Sequence, residues 1–208
     1  MKIYIPLLIG FASLNAQTTS LQKNSPISVL SSIKTIETVD LNELTTFDPR
    51  WVDSLSLSLP CYEVPVPKRT MRLPNAPRNY RNGIHRGLDF FANWGTPVRS
   101  VAEGIVVRSD LHYEEVPADF RENLLKATTK VGHTPSDIFN SVLLGKSVFL
   151  DHGFDLIPGF RTISIYAHLS HIEKEIVPGA VVKRGELLGK SGNTGMREST
   201  IGSKAGSH

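Results

Sequence analysis

Gly83-Ile84-His85-Arg86-Gly87-Leu88-Asp89-Phe90 sets an imidazole and a carboxylate four residues apart, with glycine on both sides of the imidazole. A neutral histidine nitrogen and an ionised aspartate oxygen are both good zinc ligands. Glycine lets the backbone turn tightly or another group approach closely. Downstream lies Val98-Arg99-Ser100-Val101-Ala102-Glu103-Gly104-Ile105-Val106-Val107, an apolar run that reads as two strands joined near Glu103-Gly104. The pair therefore reads as lying at the mouth of a sheet. Two groups do not make a metal centre, and a surface hydrogen bond between them accounts for the spacing as well. The rest of the chain has to supply a third ligand and a base.

Working outward, the 208 residues suit one domain with additions, at 40% hydrophobic and 21% charged. Sixteen glycines and thirteen prolines favour many turns, hence sheet over helical bundle. The formal charge of +3 is small and the basic residues are dispersed, which argues against a nucleic-acid partner. Cys61 is the single cysteine, so an internal disulfide and a thiolate zinc cluster are excluded; it reads as a small buried apolar side chain. A monomer is expected.

The start has the form of a signal peptide over residues 1–16: Lys2, an apolar run from Ile3 to Leu14, and Ala16 before Gln17. A buried N-terminal strand or a short anchor is the alternative, although the run is too short for a comfortable span. Export to the periplasm, envelope or medium is the expectation. No transmembrane segment is expected elsewhere.

Residues 17–69 read as a polar linker and extended arm, with a short helix or strand at 29–36 and Trp51 and Tyr62 as packing anchors. Residues 70–208 read as the main domain. Within it, residues 108–146 change to helical patterning. Phe120, Leu124 and Leu125 share one side of a first helix, and Thr134-Pro135-Ser136-Asp137 starts a second that Gly145 ends. A two-helix insertion between strands is expected. Strand patterning returns at Val148-Phe149-Leu150 and at Arg161 to Leu169, followed by short strands near Val181 and Leu187.

His168 closes a strand that alternates Ile163, Ile165 and Ala167 with Thr162, Ser164, Tyr166 and His168. That position suits a base or an oxyanion partner, and equally a surface histidine. His152, between Asp151 and Gly153, suits a group that holds a wall loop. His112, His133 and His171 read as bystanders. There is no GxxxxGK[ST] phosphate loop, so a nucleotide site is unsupported, and no HExxH helix, so that type of zinc peptidase is excluded.

In order, His85 to Asp89, Pro97-Val98 to Val107, Asp151-His152-Gly153 with Tyr166-Ala167-His168-Leu169-Ser170, and Val177-Pro178-Gly179 through Gly192-Asn193-Thr194-Gly195 resemble the M23 zinc metallopeptidases, the lysostaphin-like or LytM-like peptidoglycan endopeptidases. The resemblance covers about residues 72–208 and implies a mainly β domain of antiparallel sheet, of the duplicated hybrid motif type. It implies Zn2+ as cofactor, with His85 and Asp89 as metal ligands. His168 and His208 become catalytic imidazoles, Ser207-His208 matching the start of the family's closing HxH. His152, Tyr166 and Asn193 are expected to line or support the groove. The substrate class would be peptides of cell-wall peptidoglycan, hydrolysed with metal assistance. The family's third ligand falls two residues past His208, with the strand that carries it. The expectation is therefore a fragment of a longer enzyme. The alternative is a noncatalytic module that binds the wall or activates another hydrolase.

Overall fold

The computed structural model describes residues 48–208. The signal peptide expected over residues 1–16, the first part of the arm expected over residues 17–69 and the element expected at 29–36 lie outside the described residues. No helix among the described residues is long and apolar enough to cross a membrane.

The described part of the arm starts with a 3-10 turn over Pro49–Ser54 and then runs along the domain. Ser58 N–H donates to Val101 O at 2.9 Å and Arg99 N–H donates to Pro60 O at 2.8 Å. These bonds bring Cys61 into the core, where burial raises its thiol pKa. Trp51 meets the Phe160 ring at 5.9 Å. Tyr62 differs from its expected anchoring role: it is exposed, and Arg99 covers its ring.

β1 (Pro77–Arg78) and β2 (Gly83–Ile84) form an antiparallel pair across a 3-10 turn at Asn79–Arg81. β3 (Pro97–Arg99) and β4 (Gly104–Ser109) are the two strands expected around Glu103-Gly104, but they join different sheets. The insertion follows, with α1 (Ala118–Val131), α2 (Ser136–Ile138) and a π turn at Phe139–Leu143. β5 (Val148–Asp151), β6 (Ile163–Tyr166), β7 (His171–Ile172), β8 (Val181–Val182), β9 (Leu187–Lys190) and α3 (Arg197–Thr200) complete the order. A three-stranded sheet runs β3-β9-β7 and a four-stranded sheet runs β6-β5-β4-β8, all pairs antiparallel. The result is a mixed domain of open antiparallel sheets with helices; the mainly β expectation describes the sheets and understates the helical part.

Val106, Val148, Leu150, Val182 and Leu188 are essentially inaccessible and gather strands of both sheets into one core. Each such side chain contributes about 1.5–3 kcal/mol by leaving water. The strand alternation near β6 is real, but its faces are the reverse of a simple apolar-in reading. Ile163 and Ile165 are 50% and 47% exposed, while Tyr166 is buried and Ser164 half-buried. On α1 the inward residues are Arg121, Leu125 and Thr128, and Phe120 faces out.

Candidate functional site

The β1–β2 pair carries His85 to its place. His85 N–H donates to Ala76 O at 2.7 Å, and Asn75 N–H donates to His85 O at 2.8 Å, so the residue extends the pairing by one step. The buried Arg81 guanidinium ties the ribbon to the insertion by donating to Thr134 Oγ1 at 3.2 Å and to Ile84 O. Asp89 is fixed four residues later, its N–H donating to Arg72 O at 3.0 Å. His85 Nε2 and Asp89 Oδ1 then meet at 2.8 Å. Arg78 takes the other carboxylate oxygen at 3.3 Å.

His168 follows β6 in a left-handed backbone conformation, φ +59°, and its N–H donates to Leu144 O at 2.8 Å. Histidine visits this region more readily than most side chains. The turn swings the ring off the strand, and Nδ1–H donates to Thr194 O at 2.7 Å. His208 arrives from the loop after α3, its N–H donating to Gly192 O at 3.2 Å. Its ring lies 4.8 Å from that of His168 and 6.1 Å from that of Phe91, nearly parallel to the latter at 18°. Its Nε2 is 3.7 Å from Asp89 Oδ1. The four residues singled out as ligands and catalytic groups thus form one cluster, contributed by three separate parts of the chain.

The three imidazoles share a device. Each has Nδ1 against a backbone carbonyl: Leu73 O at 2.9 Å for His85, Thr194 O at 2.7 Å for His168 and Gly206 O at 2.7 Å for His208. A carbonyl can only accept, so each Nδ1 carries a proton, and the hydrogen bond selects the tautomer. For His85 this has a consequence. Its Nε2 faces a carboxylate oxygen at 2.8 Å, which requires either a second ring proton or a cation shared by the two.

The electrostatics follow from this packing. Burial alone would raise Asp89, but the His85 hydrogen bond and the nearby His208, His85 and Arg78 outweigh it and hold the carboxyl below its ordinary range. Burial, helped by the neighbouring His208, pushes His168 down to about 4, so its ring is neutral at neutral pH.

The donor chemistry of His85 Nε2 and Asp89 Oδ1 suits zinc, but zinc centres use three or four ligands. Among the described residues no group of three or more His, Cys, Asp or Glu side chains is arranged to hold a metal ion. The residues present fit part of a zinc centre and not a complete one.

The three residues expected to line or support the groove divide. Asn193 supports the cluster from behind: its Nδ2 donates to Ser203 O at 2.9 Å and Ala205 O at 2.7 Å, fixing the loop that delivers His208. His152 and Tyr166 belong to a different network. Val101 N–H donates to Tyr166 Oη at 2.8 Å; Tyr166 Oη and Ser164 Oγ lie 3.2 Å apart; Ser164 Oγ meets His152 Nε2 at 2.8 Å; and His152 Nδ1–H donates to Glu103 O at 2.6 Å. None of these bonds reaches the cluster.

Sequence reading missed Arg78, Thr194 and Phe91. Phe91 is 54% exposed and lies beneath the Arg72 guanidinium, 3.7 Å from ring centre. Two clefts flank it. One, of about 260 Å3, is lined by Asn93, Trp94, Lys204 and Ser207 besides Phe91. The other, of about 220 Å3, lies between the Val64–Lys68 stretch of the arm and Arg72, Asp89 and Phe91. An aromatic residue two positions after Asp89 was the only signal for Phe91 in the sequence.

No protein-family profile matches this chain, and no curated protein matches it. Among solved structures it is similar to a Pseudomonas aeruginosa protein provisionally described as peptidase M23, at 27% identity and a TM-score of 0.32. The match covers 67% of this chain and 43% of that one, so this chain spans less than half the length of the protein it resembles. This is a distant likeness over part of the chain, and the functional reading rests on the site's own residues.

Proposed function

We propose that this domain is an M23-like module, of the lysostaphin-like or LytM-like kind, that binds peptide segments of bacterial cell-wall peptidoglycan and presents them to, or activates, another hydrolase. The observation that carries this reading is the state of Asp89. Its two carboxylate oxygens are divided between His85 and Arg78, so the group acts as the keystone of a fixed polar cluster. That no third ligand joins His85 and Asp89 among the described residues is in keeping with the same reading. The ordered motifs from His85 to Asn193 support the choice of wall peptide. So do the clefts beside Phe91, which combine apolar walls with the cationic Arg72 and Lys204. Those groups complement the apolar side chains and carboxylates of a short peptide. The proposal requires export, because the polymer lies outside the cytoplasmic membrane.

A zinc endopeptidase is the second reading. It is favoured by the His85 Nε2 to Asp89 Oδ1 approach of 2.8 Å, which a shared cation would explain as well as a proton. In that reading His168 and His208 are the catalytic imidazoles.

One experiment separates the two. The 208-residue chain is incubated with purified peptidoglycan, and co-sedimentation, release of soluble peptides and bound zinc are measured together. The expected result is co-sedimentation without release and less than one zinc per chain. One zinc per chain with steady peptide release would overturn the binding-module reading in favour of the peptidase. Neither sedimentation nor release would sink both.

A further inference from the structure

The peptide group between Thr194 and Gly195 has an unusual pair of neighbours. Its carbonyl, Thr194 O, accepts from His168 Nδ1–H at 2.7 Å. Its N–H, that of Gly195, donates to Glu115 Oε2 at 2.9 Å. A carboxylate from the insertion and the imidazole of the candidate site therefore bind opposite ends of one peptide group. Hydrogen bonds in such a chain polarise one another, so the carboxylate makes Thr194 O the better acceptor.

Gly195 is gripped from its other side as well. Arg121 Nε donates to Gly195 O at 3.0 Å. Arg121 lies on the inward face of α1 and is only 9% exposed, an uncommon place for a guanidinium. A leucine there would bury more apolar surface, and a buried charge is tolerated only when hydrogen-bonded. Tyr113 Oη donates to the second Glu115 oxygen at 2.9 Å and fixes that carboxylate in turn.

The loop that receives these bonds has no slack. A Cβ on Gly195 would lie 2.6 Å from Gly145 N and 2.7 Å from Val142 O, and one on Gly145 would lie 2.2 Å from Thr194 O. The Thr194 hydroxyl accepts from Lys146 N–H and donates to Leu169 O, both at 2.9 Å. The end of the insertion holds His168 directly too, through Leu144 O.

We propose that Glu115 and Arg121 are positioning residues for His168. By fixing the backbone of Gly195 they hold the Thr194 carbonyl where it selects the Nδ1-protonated tautomer, leaving the Nε2 lone pair without a hydrogen bond among the described residues. The insertion is a brace built against the back of the site. This rests on the proposed function in one respect, that the His168 ring, which packs on His208 beside Phe91, borders the peptide site.

The test uses the full chain labelled with 15N-histidine, the His168 ring being assigned by its loss in His168→Asn. In the unaltered protein His168 gives one protonated-type Nδ1 and one unprotonated-type Nε2 signal at neutral pH. Glu115→Ala is expected to move both towards the averaged values of a mixed tautomer. It is also expected to weaken binding of a soluble peptidoglycan peptide by about tenfold. Arg121→Lys keeps the charge but loses the Nε–H, and should fall between. Glu122→Gln is the control, because Glu122 is on the exposed side of α1 and pairs with Lys126 at 2.9 Å. It should leave the His168 signals unchanged. If Glu115→Ala keeps its circular dichroism, melts earlier and retains the single tautomer, the role is merely structural and the inference is overturned. If that variant does not fold, Arg121→Lys and Tyr113→Phe carry the same criterion. Loss of the tautomer in a protein that binds no wall peptide in any form would leave the positioning role standing and remove the proposed function.

Discussion

His152 and His168 follow neighbouring strands of one sheet, β5 and β6, and each donates Nδ1–H to a backbone carbonyl, at 2.6 Å and 2.7 Å. They part at the other nitrogen. His152 Nε2 is closed by Ser164 Oγ, and the network runs on through Tyr166 to Val101. His168 Nε2 makes no hydrogen bond among the described residues; its ring packs on His208. A ring with both nitrogens closed braces the sheet. A ring with one nitrogen open is available to a ligand. Burial alone would have chosen wrongly, since His152 at 5% exposure is the more buried of the two.

The largest effect that tests this contrast is on stability. His152→Ala removes two buried hydrogen bonds and leaves a cavity, so urea unfolding should show a loss of about 3 kcal/mol. His168→Ala should cost under about 1 kcal/mol there while removing peptide binding. Equal losses would erase the distinction between the two histidines.

The next effect is a slope with pH. The His168 value falls from 6.5 in an open chain to about 4 in the folded one. Between those values the unfolded chain binds the proton and the folded chain resists it, so stability declines as pH drops from 6.5 towards 4. Asp89, held below its ordinary value of 3.8, adds a further loss as pH falls below that point. Urea midpoints measured across this range should decline in the unaltered protein and less steeply in His168→Asn. A parallel slope in both would show that other groups carry it.

Smaller again is Tyr166→Phe. It strands the Val101 N–H and opens the His152 network, costing about 1–2 kcal/mol with wall binding retained. A loss of binding would join the two networks that the geometry separates. Smallest is the backbone term at His168. With φ at +59°, His168→Gly should be more stable than His168→Ala by about 1 kcal/mol. Identical midpoints would show that the left-handed turn is not strained.

The His85–Asp89 pair was readable because its geometry is local, two groups on one short stretch. The strands at 148–151 and 163–166 were readable from alternation, but alternation yields two faces without saying which is inside. Ser164 and Tyr166 turn inward because their hydroxyls complete the His152 network, and Ile163 and Ile165 go outward as a result. The insertion shows the same limit. Apolar patterning put Phe120 on the buried side of α1, whereas Arg121 is drawn in by Gly195 O, a partner 74 residues away. Thr134 opens the stretch expected to start the second helix, yet its hydroxyl donates to Arg81 O at 2.5 Å and caps no helix. Arg78 and Thr194 were invisible for the same reason: their roles exist only through Asp89 and His168, which the fold brings to them.

Gly145 and Gly195 carry no reactive group, yet they set how closely two backbone segments cross behind the site. A methyl group at either would collide with backbone atoms of the facing segment, at 2.2 Å and 2.6 Å. The nearest atoms are backbone, so trimming a side chain would not make room. Any side chain at these two positions would require the two backbone segments to part, and with them the carbonyl that holds His168.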